Sequence, residues 1–337
     1  MKVLVTGGTG FIGSHTVVEL INAGFEPVIL DNFENSNHSV IDGLKAILGF
    51  EPTFYKGDCT DSNTLNEVFS KEKPDAVIHF AAYKAVGESV AKPIPYYSNN
   101  VVSMIRLLET MQSFNTTKLV FSSSCTVYGQ PENNPVDEYS LDQNAASPYG
   151  RTKVFCEQIL RDLAASGSHL QTVMLRYFNP VGAHSSGSIG ELPNGVPNNL
   201  VPFITQTAAG IRKELVVYGN DYNTPDGSCI RDFIHVVDLA KAHVCALQYI
   251  NNNSTKIDVF NIGQGRGNSV LEMIAAFEEI AGVKLNYTIG ARRAGDIEQI
   301  WANVEKAKQL LGWKAELTIK DALRDAWNWQ QSLNRKI

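Results

Sequence analysis

The chain has 337 residues, of which 44% are hydrophobic and 19% are charged, and its formal net charge is -6. These proportions are typical of a globular protein of about two domains that buries sizeable cores. The acidic balance argues against a nucleic acid or an anionic membrane as the partner, so an anionic small molecule would need a local basic pocket.

The cysteines are scattered and form no C-x-x-C pair, which predicts neither a disulfide framework nor a thiolate metal site; they are Cys59, Cys125, Cys156, Cys229 and Cys245. The histidines show no metal-ligand spacing, and no metal is predicted. The N-terminal segment lacks the apolar stretch of a secretory signal, and no apolar run approaches the ~18 residues that span a bilayer. The sequence therefore favours a reduced, cytoplasmic setting without a membrane partner.

Short apolar segments alternate with amphipathic stretches through the first half of the chain. KVLVTGG is predicted as a strand followed by a helix from Phe11 to about Asn22, and the later strand segments are PVILDN, PTFYKGD, DAVIHFAA, KLVFSSS and QTVMLRYFN. Strands separated by helices form parallel sheets with right-handed crossovers. The pattern predicts an α/β fold, a doubly wound parallel sheet of the Rossmann type, over residues 1–179.

The pattern changes after Asn179. Segments rich in glycine, proline and asparagine, such as NPVGAHSSGSIGELPNGVPNN, lie between helical segments such as SVLEMIAAFEEIAG and ALRDAWNWQQSL. Long ordered loops in compact domains usually carry function. We therefore predict a smaller α+β substrate-binding domain over residues 180–337, with apolar segments near 233–263 returning to the first domain.

A glycine motif follows the first predicted strand. VTGGTGFIG places Gly7, Gly10 and Gly13 between that strand and the opening of a helix, which is the context of a dinucleotide site. Glycines there permit a tight turn and close approach to a pyrophosphate, while the helix N-terminus supplies N–H donors. The spacing is G-x-x-G-x-x-G rather than G-x-G-x-x-G, so an empty tight turn is the alternative.

An aspartate ends each of the next two predicted strands. Asp31 is placed to accept hydrogen bonds from both ribose hydroxyls, although a plain loop aspartate is the alternative. No arginine follows closely in LDNFENSNHS to neutralise a 2′-phosphate, which favours NAD over NADP. Asp58 is a candidate for the adenine, with an ordinary strand-end aspartate as an equal alternative.

The segment SPYGRTK predicts the start of a helix, with Ser147 as N-cap and Pro148 in the first turn. Tyr149 and Lys153 then lie on one face, where side chains four residues apart interact. The alternatives are an ordinary surface pair and a tyrosine whose pKa is lowered by the Lys153 ammonium and a nicotinamide. Ser124, after the strand KLVFSSS, would present its hydroxyl at the edge of the sheet where ligands bind.

Three segments, TGGTGFIG, SSSCTVYG and YGRTK, resemble the extended short-chain dehydrogenase/reductase family, whose catalytic set is Ser and Tyr-x-x-x-Lys. More narrowly, HFAAYKAVGESV, YYSNNV, LRYFNPVGAH, PNNLVPFI, RDFIHVVDLA and ARRAGD resemble the UDP-glucose 4-epimerase family, and the motifs run from residue 1 to about residue 330. The resemblance implies that Ser124, Tyr149 and Lys153 carry the chemistry.

The resemblance also implies a tightly bound NAD and a bound UDP-sugar. The residues it places around NAD are Gly7, Gly10, Phe11, Ile12, Gly13, Asp31, Asn32, Ser36, Asp58, Cys59, Phe80, Ala81, Lys84, Asn99, Ser124, Tyr149, Lys153 and Phe178. The residues it places around the nucleotide sugar are Lys84, Ser124, Tyr149, Asn179, Asn199, Leu200, Tyr218, Arg231, Arg293, Asp296 and Ile300. Guanidinium groups suit a diphosphate, although a single arginine is more often part of a surface ion pair.

The reaction implied by the resemblance is the reversible epimerisation of UDP-glucose and UDP-galactose at C4, through a transient 4-keto sugar and enzyme-bound NADH. Ile300 stands where the family gates the substituent at sugar C2: a tyrosine there tends to exclude an N-acetyl group, and a small residue admits it. Isoleucine leads us to expect additional activity on UDP-N-acetylglucosamine and UDP-N-acetylgalactosamine. The family also implies a homodimer.

Two other functions are weighed against this one. A nucleotide-sugar 4,6-dehydratase needs an acid beside the catalytic hydroxyl, but the positions of its Asp-Glu pair read Cys125 and Thr126 here. A non-catalytic NAD-sensing regulator keeps the fold and usually loses the Tyr-Lys pair, which is intact in this chain.

Overall fold

The computed structural model describes residues 1–140, 145–293 and 295–334. Its strands in chain order are β1 Lys2–Thr6, β2 Glu26–Asp31, β3 Thr53–Lys56, β4 Ala76–His79, β5 Lys118–Ser122, β6 Gln171–Tyr177, β7 Asn179–Val181, β8 Leu215–Tyr218, β9 Ile230–Arg231, β10 Phe233–His235, β11 Ile257–Ile262, β12 Asn268–Ser269, β13 Tyr287–Gly290 and β14 Gln299–Ile300. Its helices are α1 Phe11–Asn22, α2 Ser39–Leu48, α3 Ser62–Glu72, α4 Val86–Ala91, α5 Pro93–Ser113, α6 Pro148–Ala165, α7 Leu200–Ala208, α8 Val236–Asn252, α9 Val270–Ala281 and α10 Ile319–Asn334, with a 3-10 turn at Cys125–Tyr128 and a π-helical turn at Ala307–Leu311.

Seven of these strands form one parallel sheet in the order β11-β6-β5-β4-β1-β2-β3. The chain order reverses between β1 and β4, and the carboxyl ends of strands at such a reversal form the ligand crevice of doubly wound folds. The predicted fold class is therefore confirmed. The six strand segments predicted in the first half supply six strands, and β11 comes from the segment near 233–263 that was predicted to return.

The inner strands of the large sheet are continuously apolar, and the sheet is buried on both faces. In β1, Val3 and Val5 contribute to one core cluster, while Leu4 between them contributes to the cluster on the opposite face. Successive side chains of a strand point to opposite faces, so a continuous apolar strand serves both layers. The two layers hold the carboxyl ends of the strands in a fixed geometry.

The segment that returns to the sheet also supplies a helix. α8 packs against α1, the helix that follows the glycine motif, and its residues Leu239 and Leu247 join the same core cluster as Val3. β11 pairs with β6 over its whole length, from Ile257 to Ile262. The seven-stranded sheet and its helical layer thus include a segment that is distant in sequence from the other strands.

The remaining strands form smaller sheets, β10-β7, β12-β9-β14 and β13-β8. Helices α7, α9 and α10 pack on them around a separate core cluster that includes Val201, Phe233, Phe277 and Leu323. The division of the chain at residue 179 stays a prediction. β10 pairs with β7 in a small sheet, whereas β11, which follows it in the chain, pairs with β6 in the large sheet.

Two general properties bear on function. No helix within the described residues is long and apolar enough to cross a membrane. The same residues contain no cluster of three or more His, Cys, Asp or Glu side chains that could hold a metal ion.

Candidate active site

The glycine motif forms a tight cradle between β1 and α1. Gly7 has a φ of 71°, and a Cβ atom there would lie 2.8 Å from the backbone nitrogen of Ala81. Only glycine fits such a position, because the left-handed backbone and the close neighbour both exclude a side chain. Helix α1 begins after Gly10 without a side-chain cap, so its first N–H groups are available to an anion. The cradle therefore fits the pyrophosphate of a dinucleotide.

Asp31 lies at the carboxyl end of β2, beside this cradle. Its carboxylate accepts hydrogen bonds from the backbone nitrogens of Thr9 at 3.1 Å and Phe33 at 2.9 Å, and the residue is 9% exposed. Ser36 also donates to it, at 3.4 Å. Each carboxylate oxygen has two acceptor positions, so the fixed carboxylate keeps capacity for the hydroxyls of a ribose.

Asn32 and Asp58 lie next to each other at the same edge, where the Asn32 amide donates to the Asp58 carboxylate at 3.0 Å. Burial opposes ionisation of Asp58, but hydrogen bonds from Thr60 and Asn32 outweigh it and lower the pKa of that carboxyl. Asp58 is therefore an ionised acceptor at the end of β3.

The other residues predicted around NAD also follow the carboxyl ends of strands or begin the helices there. Phe11 and Ile12 open α1, Cys59 follows β3, Phe80, Ala81 and Lys84 follow β4, Asn99 lies in the first half of α5, and Phe178 follows β6. The parallel sheet brings these dispersed positions to one edge.

Ser124 is the N-cap of the 3-10 turn Cys125–Tyr128 that follows β5. Its Oγ accepts hydrogen bonds from the backbone nitrogen of Thr126 at 3.2 Å and from the Thr126 hydroxyl at 3.0 Å. The residue is 5% exposed. The turn therefore fixes the direction of the Ser124 hydroxyl oxygen.

Helix α6 begins as the sequence predicts. The Ser147 hydroxyl accepts from the backbone nitrogen of Gly150 at 3.1 Å, and Pro148 occupies the first helical position. Tyr149 is 6% exposed and Lys153 3% exposed. An ordinary surface pair is therefore excluded.

Lys153 lies between α6 and the sheet. Its ammonium donates to the carbonyl oxygen of Ser122 at 2.8 Å and lies 4.9 Å from the ring centroid of Phe121 and 5.9 Å from that of Tyr149. Burial lowers the pKa of Lys153 to about 8, against the opposing effects of Cys156 and Glu157. The pKa of Lys153 thus lies about one unit above neutral pH.

The pKa of Tyr149 differs from the expected direction. Burial and the neighbouring Tyr177 raise it well above the ordinary value of a tyrosine, and a hydrogen bond with Ser124 opposes them only in part. A phenolate in a water-poor site is costly unless enough positive charge lies beside it. The protein environment therefore favours the neutral phenol of Tyr149. The charge of Lys153 alone does not offset the effect of burial.

The positions next to Ser124 carry no carboxylate. Burial raises the pKa of Cys125 to about 12, so it is a neutral thiol, and the Thr126 hydroxyl is used in the turn. Neither side chain can supply the acid that a 4,6-dehydratase needs at this place.

Several of the residues predicted to bind a nucleotide sugar lie on or beside the strands of the smaller sheets. Arg231 in β9 pairs in register with Ile300 in β14, and its guanidinium donates to the carbonyl oxygen of Ile230 at 2.9 Å. Arg293 lies 5.3 Å from the ring centroid of Tyr218 and donates to Asp296 at 2.8 Å. Arg293, Tyr218 and Asp296 thus form one group of contacts, and Arg231 lies beside Ile300 on a neighbouring strand.

Asn179 begins β7, directly after β6. Its side-chain oxygen is buried, and among the described residues no group donates to it. Unsatisfied buried acceptors are rare in native proteins. The observation fits a site in which a ligand hydroxyl or N–H completes the hydrogen bond.

Glu191 contacts two of the predicted site residues, although the sequence analysis did not single it out. One of its carboxylate oxygens accepts from the Lys84 ammonium at 3.0 Å and from the Asn199 amide at 2.5 Å. Its backbone carbonyl accepts from the Trp329 indole at 3.0 Å. Asn199 stands immediately before Leu200, the first residue of α7. Glu191 is the one acidic residue of its glycine- and proline-rich segment, which is the signal that could have marked it.

Ile300 is 1% exposed and lies in a small cluster with Val127, Tyr128 and Phe178. Phe178 is itself one of the residues predicted to contact NAD. A larger side chain at position 300 would therefore press on the crevice through this cluster. Its role as a gate for the sugar stays a prediction.

Comparison with known proteins gives a consistent set of relatives. The sequence profile of the GDP-mannose 4,6 dehydratase family matches residues 4–326. A UDP-glucose 4-epimerase from Bacillus subtilis (strain 168) is 50% identical over 332 residues, which cover 98% of this chain and 97% of that protein.

Two solved structures are similar over the full length of both chains. UDP-glucose-4-epimerase from Stenotrophomonas maltophila, with bound NAD and formylated UDP-arabinopyranose, is 47% identical with a TM-score of 0.97 and 100% coverage of each chain. The Bifidobacterium longum UDP-glucose 4-epimerase, in complex with NAD+ and UDP, is 47% identical with a TM-score of 0.96 and the same coverage.

Proposed function

This chain belongs to the UDP-glucose 4-epimerase family of extended short-chain dehydrogenases/reductases, and from that premise we propose that it interconverts UDP-glucose and UDP-galactose at C4 with a tightly bound NAD. The observation that carries the proposal is the burial of Ser124, Tyr149 and Lys153 beside the glycine cradle, at the carboxyl edge of the sheet. The enzyme is an NAD-dependent isomerase, with no net oxidation of the sugar.

In the proposed mechanism Tyr149 takes the proton of the sugar 4-hydroxyl and later returns it. When bound, NAD supplies the acceptor for the C4 hydrogen and a positive ring charge that favours the tyrosinate. Ser124 shares the hydrogen bond to the reacting oxygen, and the Lys153 ammonium stabilises the negative phenol oxygen. The 4-keto sugar would then turn within the site, so that C4 takes back the hydride held by the reduced cofactor on its other face while Tyr149 returns the proton to the 4-oxygen.

The nucleotide end of the substrate must stay bound while the sugar turns. We assign this to Arg231 and Arg293, because guanidinium groups bind diphosphates with two parallel hydrogen bonds. The unpartnered oxygen of Asn179 would accept from the substrate, and Glu191 would orient Lys84 and Asn199 at the mouth of the crevice.

The dehydratase reading is not favoured, although the matching family profile carries a dehydratase name. The thiol of Cys125 and the hydroxyl of Thr126 stand where that reaction needs an acid. The regulator reading is not favoured either, because the buried serine, tyrosine and lysine are all in place.

One assay separates the three functions. Purified protein is incubated with UDP-galactose, without added NAD, and the products are separated by chromatography. We expect UDP-glucose, and about one NAD per chain in an extract of the denatured protein. A 4-keto-6-deoxy product would identify a dehydratase, and an NAD-loaded protein without turnover would identify a regulator.

We further propose that N-acetylated substrates are accepted, with a preference of about ten- to hundredfold for the plain hexoses. The support is Ile300, which lacks the ring and hydroxyl of tyrosine but is stiff at its β-branch and packs against Phe178. Overfilling by a few atoms typically costs about 1–3 kcal/mol, which reduces a rate without abolishing it.

A homodimer through α5 and α6 is also proposed. Ile94 is 70% exposed and Phe155 is 48% exposed on this helix pair, and Tyr97 contacts Phe155 with ring centroids 5.9 Å apart. A self-complementary apolar face of two helices is typical of twofold dimers. Phe155→Glu should halve the mass found by light scattering, whereas Phe50→Glu, at an equally exposed site on another face, should not. A wild-type protein that is monomeric would contradict the proposal.

A cytoplasmic location stays a prediction.

A further inference from the structure

A buried ion pair lies directly behind the three proposed catalytic residues. Arg176 in β6 is fully buried, and its guanidinium donates to both carboxylate oxygens of Glu157 in α6, from Nε at 2.9 Å and from Nη2 at 2.6 Å. Such a two-point fork fixes both groups in one geometry. The proposed mechanism uses neither residue.

The opposite side of Arg176 is fixed as well. Its Nη1 donates to the Tyr128 hydroxyl at 3.0 Å and to the Glu138 carbonyl at 3.1 Å, and the Tyr128 hydroxyl donates to the Asn261 side chain at 2.6 Å. Tyr128 is the last residue of the 3-10 turn that begins next to Ser124. Arg176 therefore cannot move without disturbing that turn.

Glu157 contacts the segment that presents Ser124 and lies on the same helix as Lys153. The Ser123 hydroxyl donates to its carboxylate at 2.6 Å, and Ser123 directly precedes Ser124. On α6, Glu157 lies one helical turn beyond Lys153, and both residues are buried. One carboxylate is thus bonded to the segment that presents the serine and lies one helical turn from the lysine.

The charges around Lys153 single out Glu157. The titratable groups that face the ammonium are Tyr149, His79, Cys156 and Glu157. Burial lowers the pKa of His79 to about 3 and raises that of Cys156 to about 12, so the imidazole and the thiol are neutral. Burial opposes ionisation of Glu157, but Arg176, with smaller contributions from the Ser123 hydroxyl and the Arg161 guanidinium 3.5 Å away, outweighs burial and lowers the pKa of Glu157. Among the described groups that face Lys153, Glu157 is therefore the ionised carboxylate, and it acts on the ammonium through space from one helical turn away.

A role in stability alone does not account for this placement. Replacing a buried ion pair by apolar residues of similar size is often neutral or stabilising, because removing two charges from water is costly. An apolar pair would fill the space between α6 and β6 but would leave Ser123 without its acceptor and Lys153 without an anion.

We propose that Glu157, held in place by Arg176, is a positioning residue for epimerisation: it fixes the segment that presents Ser124 and keeps the Lys153 ammonium protonated. The inference rests on the proposed function, since it assigns to Lys153 a cationic role in the reaction. Glu157 does not touch the substrate and acts through its two neighbours.

The test is the pH dependence of kcat for Glu157→Gln with saturating UDP-galactose. Removing the carboxylate charge makes the Lys153 ammonium less stable, so the lysine loses its proton at lower pH and activity is lost earlier as pH rises. We expect the alkaline limb to move down by about one pH unit, with KM changed less than about twofold. Glu157→Asp retains the charge and should keep the wild-type limb with a lower kcat.

The matched control is Glu67→Gln. Glu67 also pairs with a lysine four residues away in a helix, Lys71, but both side chains are exposed. It should leave kcat and the pH profile unchanged. A folded, NAD-loaded Glu157→Gln protein whose alkaline limb coincides with that of the wild type would overturn the proposal.

A second pair of variants covers a folding defect. If Glu157→Gln does not fold, Glu157→Gln/Arg176→Gln removes both charges of the buried fork and leaves only the half-buried Arg161 without its partner. It should still shift the limb downward, by less than the single change because a cation is lost as well. Ser123→Ala removes only the hydrogen bond to Glu157, so kcat should fall several-fold while the alkaline limb stays where it is in the wild type. An unchanged kcat would refute the proposal that Glu157 positions Ser124 through Ser123. A wild type without epimerase activity would refute the proposed function instead.

Discussion

The buried ammonium of Lys153 donates its hydrogen bond to the carbonyl oxygen of Ser122, at 2.8 Å. The lysine is thus tied to the end of β5, and its charge lies near the Tyr149 ring without a direct bond to the phenol. It acts on Tyr149 as a nearby charge held by the sheet, and the phenol remains free to exchange a proton with a ligand.

Tyr149→Phe removes the transferable proton and nothing of the ring packing. We expect kcat to fall about 10²–10⁴-fold, the range typical of a general acid-base group, while the fold and the bound NAD are retained. Steady-state kinetics, a thermal melt and the NAD content of denatured protein check this together. Near-wild-type turnover would contradict the role assigned to Tyr149.

Gly7→Ala should release the cofactor. The added Cβ meets the Ala81 backbone at 2.8 Å and the φ of 71° is unfavourable for alanine, so the cradle must open. We expect the NAD content to fall about tenfold or more, with activity partly restored by added NAD. Gly24→Ala is the matched control, because Gly24 has a φ of 81° with no atom within 4 Å of the added group. Equal NAD loss in both variants would contradict the prediction.

Glu191→Gln should weaken substrate binding more than chemistry. The neutral amide loses the charge-assisted bond to Lys84, so we expect KM for UDP-galactose to rise about 3–10-fold at nearly constant kcat. If Glu191 acts through Lys84, the double variant with Lys84→Met should be no worse than Lys84→Met alone. Additive losses would show that the two residues act separately.

Ile300→Tyr should discriminate between sugars. The larger ring overfills the cluster around Phe178, so turnover of UDP-N-acetylglucosamine should fall at least about tenfold more than turnover of UDP-glucose. Ile300→Leu conserves the volume and should leave the ratio of the two activities unchanged. Equal losses of turnover with both sugars in the tyrosine variant would contradict the proposed role of Ile300 in selecting the sugar.

Acid should destabilise the protein below about pH 6.5. Burial lowers the pKa of His15 and of His79 to about 3, below the unfolded value, so the unfolded chain binds protons first. The stability they contribute is present above about pH 6.5 and is lost as pH falls towards 3, by up to about 2–3 kcal/mol each near pH 4.5. Urea unfolding at both pH values measures the loss. His15→Gln should reduce it, and the same change at the exposed His38 should not.

Local signals in the sequence were sufficient for much of the site. Ser147 as a cap, Gly7 as a tight turn and Asp31 at a strand end each follow from residues within a few positions of one another. The alternation of apolar and amphipathic segments likewise predicted the doubly wound parallel sheet. These features depend on short-range geometry that sequence patterns express directly.

Other parts of the site depend on contacts between distant segments. Glu191 meets Lys84 across 107 residues, and Arg176 joins Glu157 between a strand and a helix. Sequence patterns do not specify which distant residues pair in this way. The direction of the Tyr149 pKa was also missed, because desolvation depends on everything packed around the ring and not on its neighbour four residues away.

The pairing of β11 with β6 has a consequence for protein engineering. A fragment ending at residue 179 would expose the full edge of β6 and uncover the face of α1 that α8 covers. Open apolar edges recruit other chains, so such a fragment should aggregate rather than bind NAD by itself. A chimera that exchanges the sugar-binding half between relatives would need to keep residues 236–262 with the N-terminal parent. The module that can be recombined is therefore discontinuous in the gene.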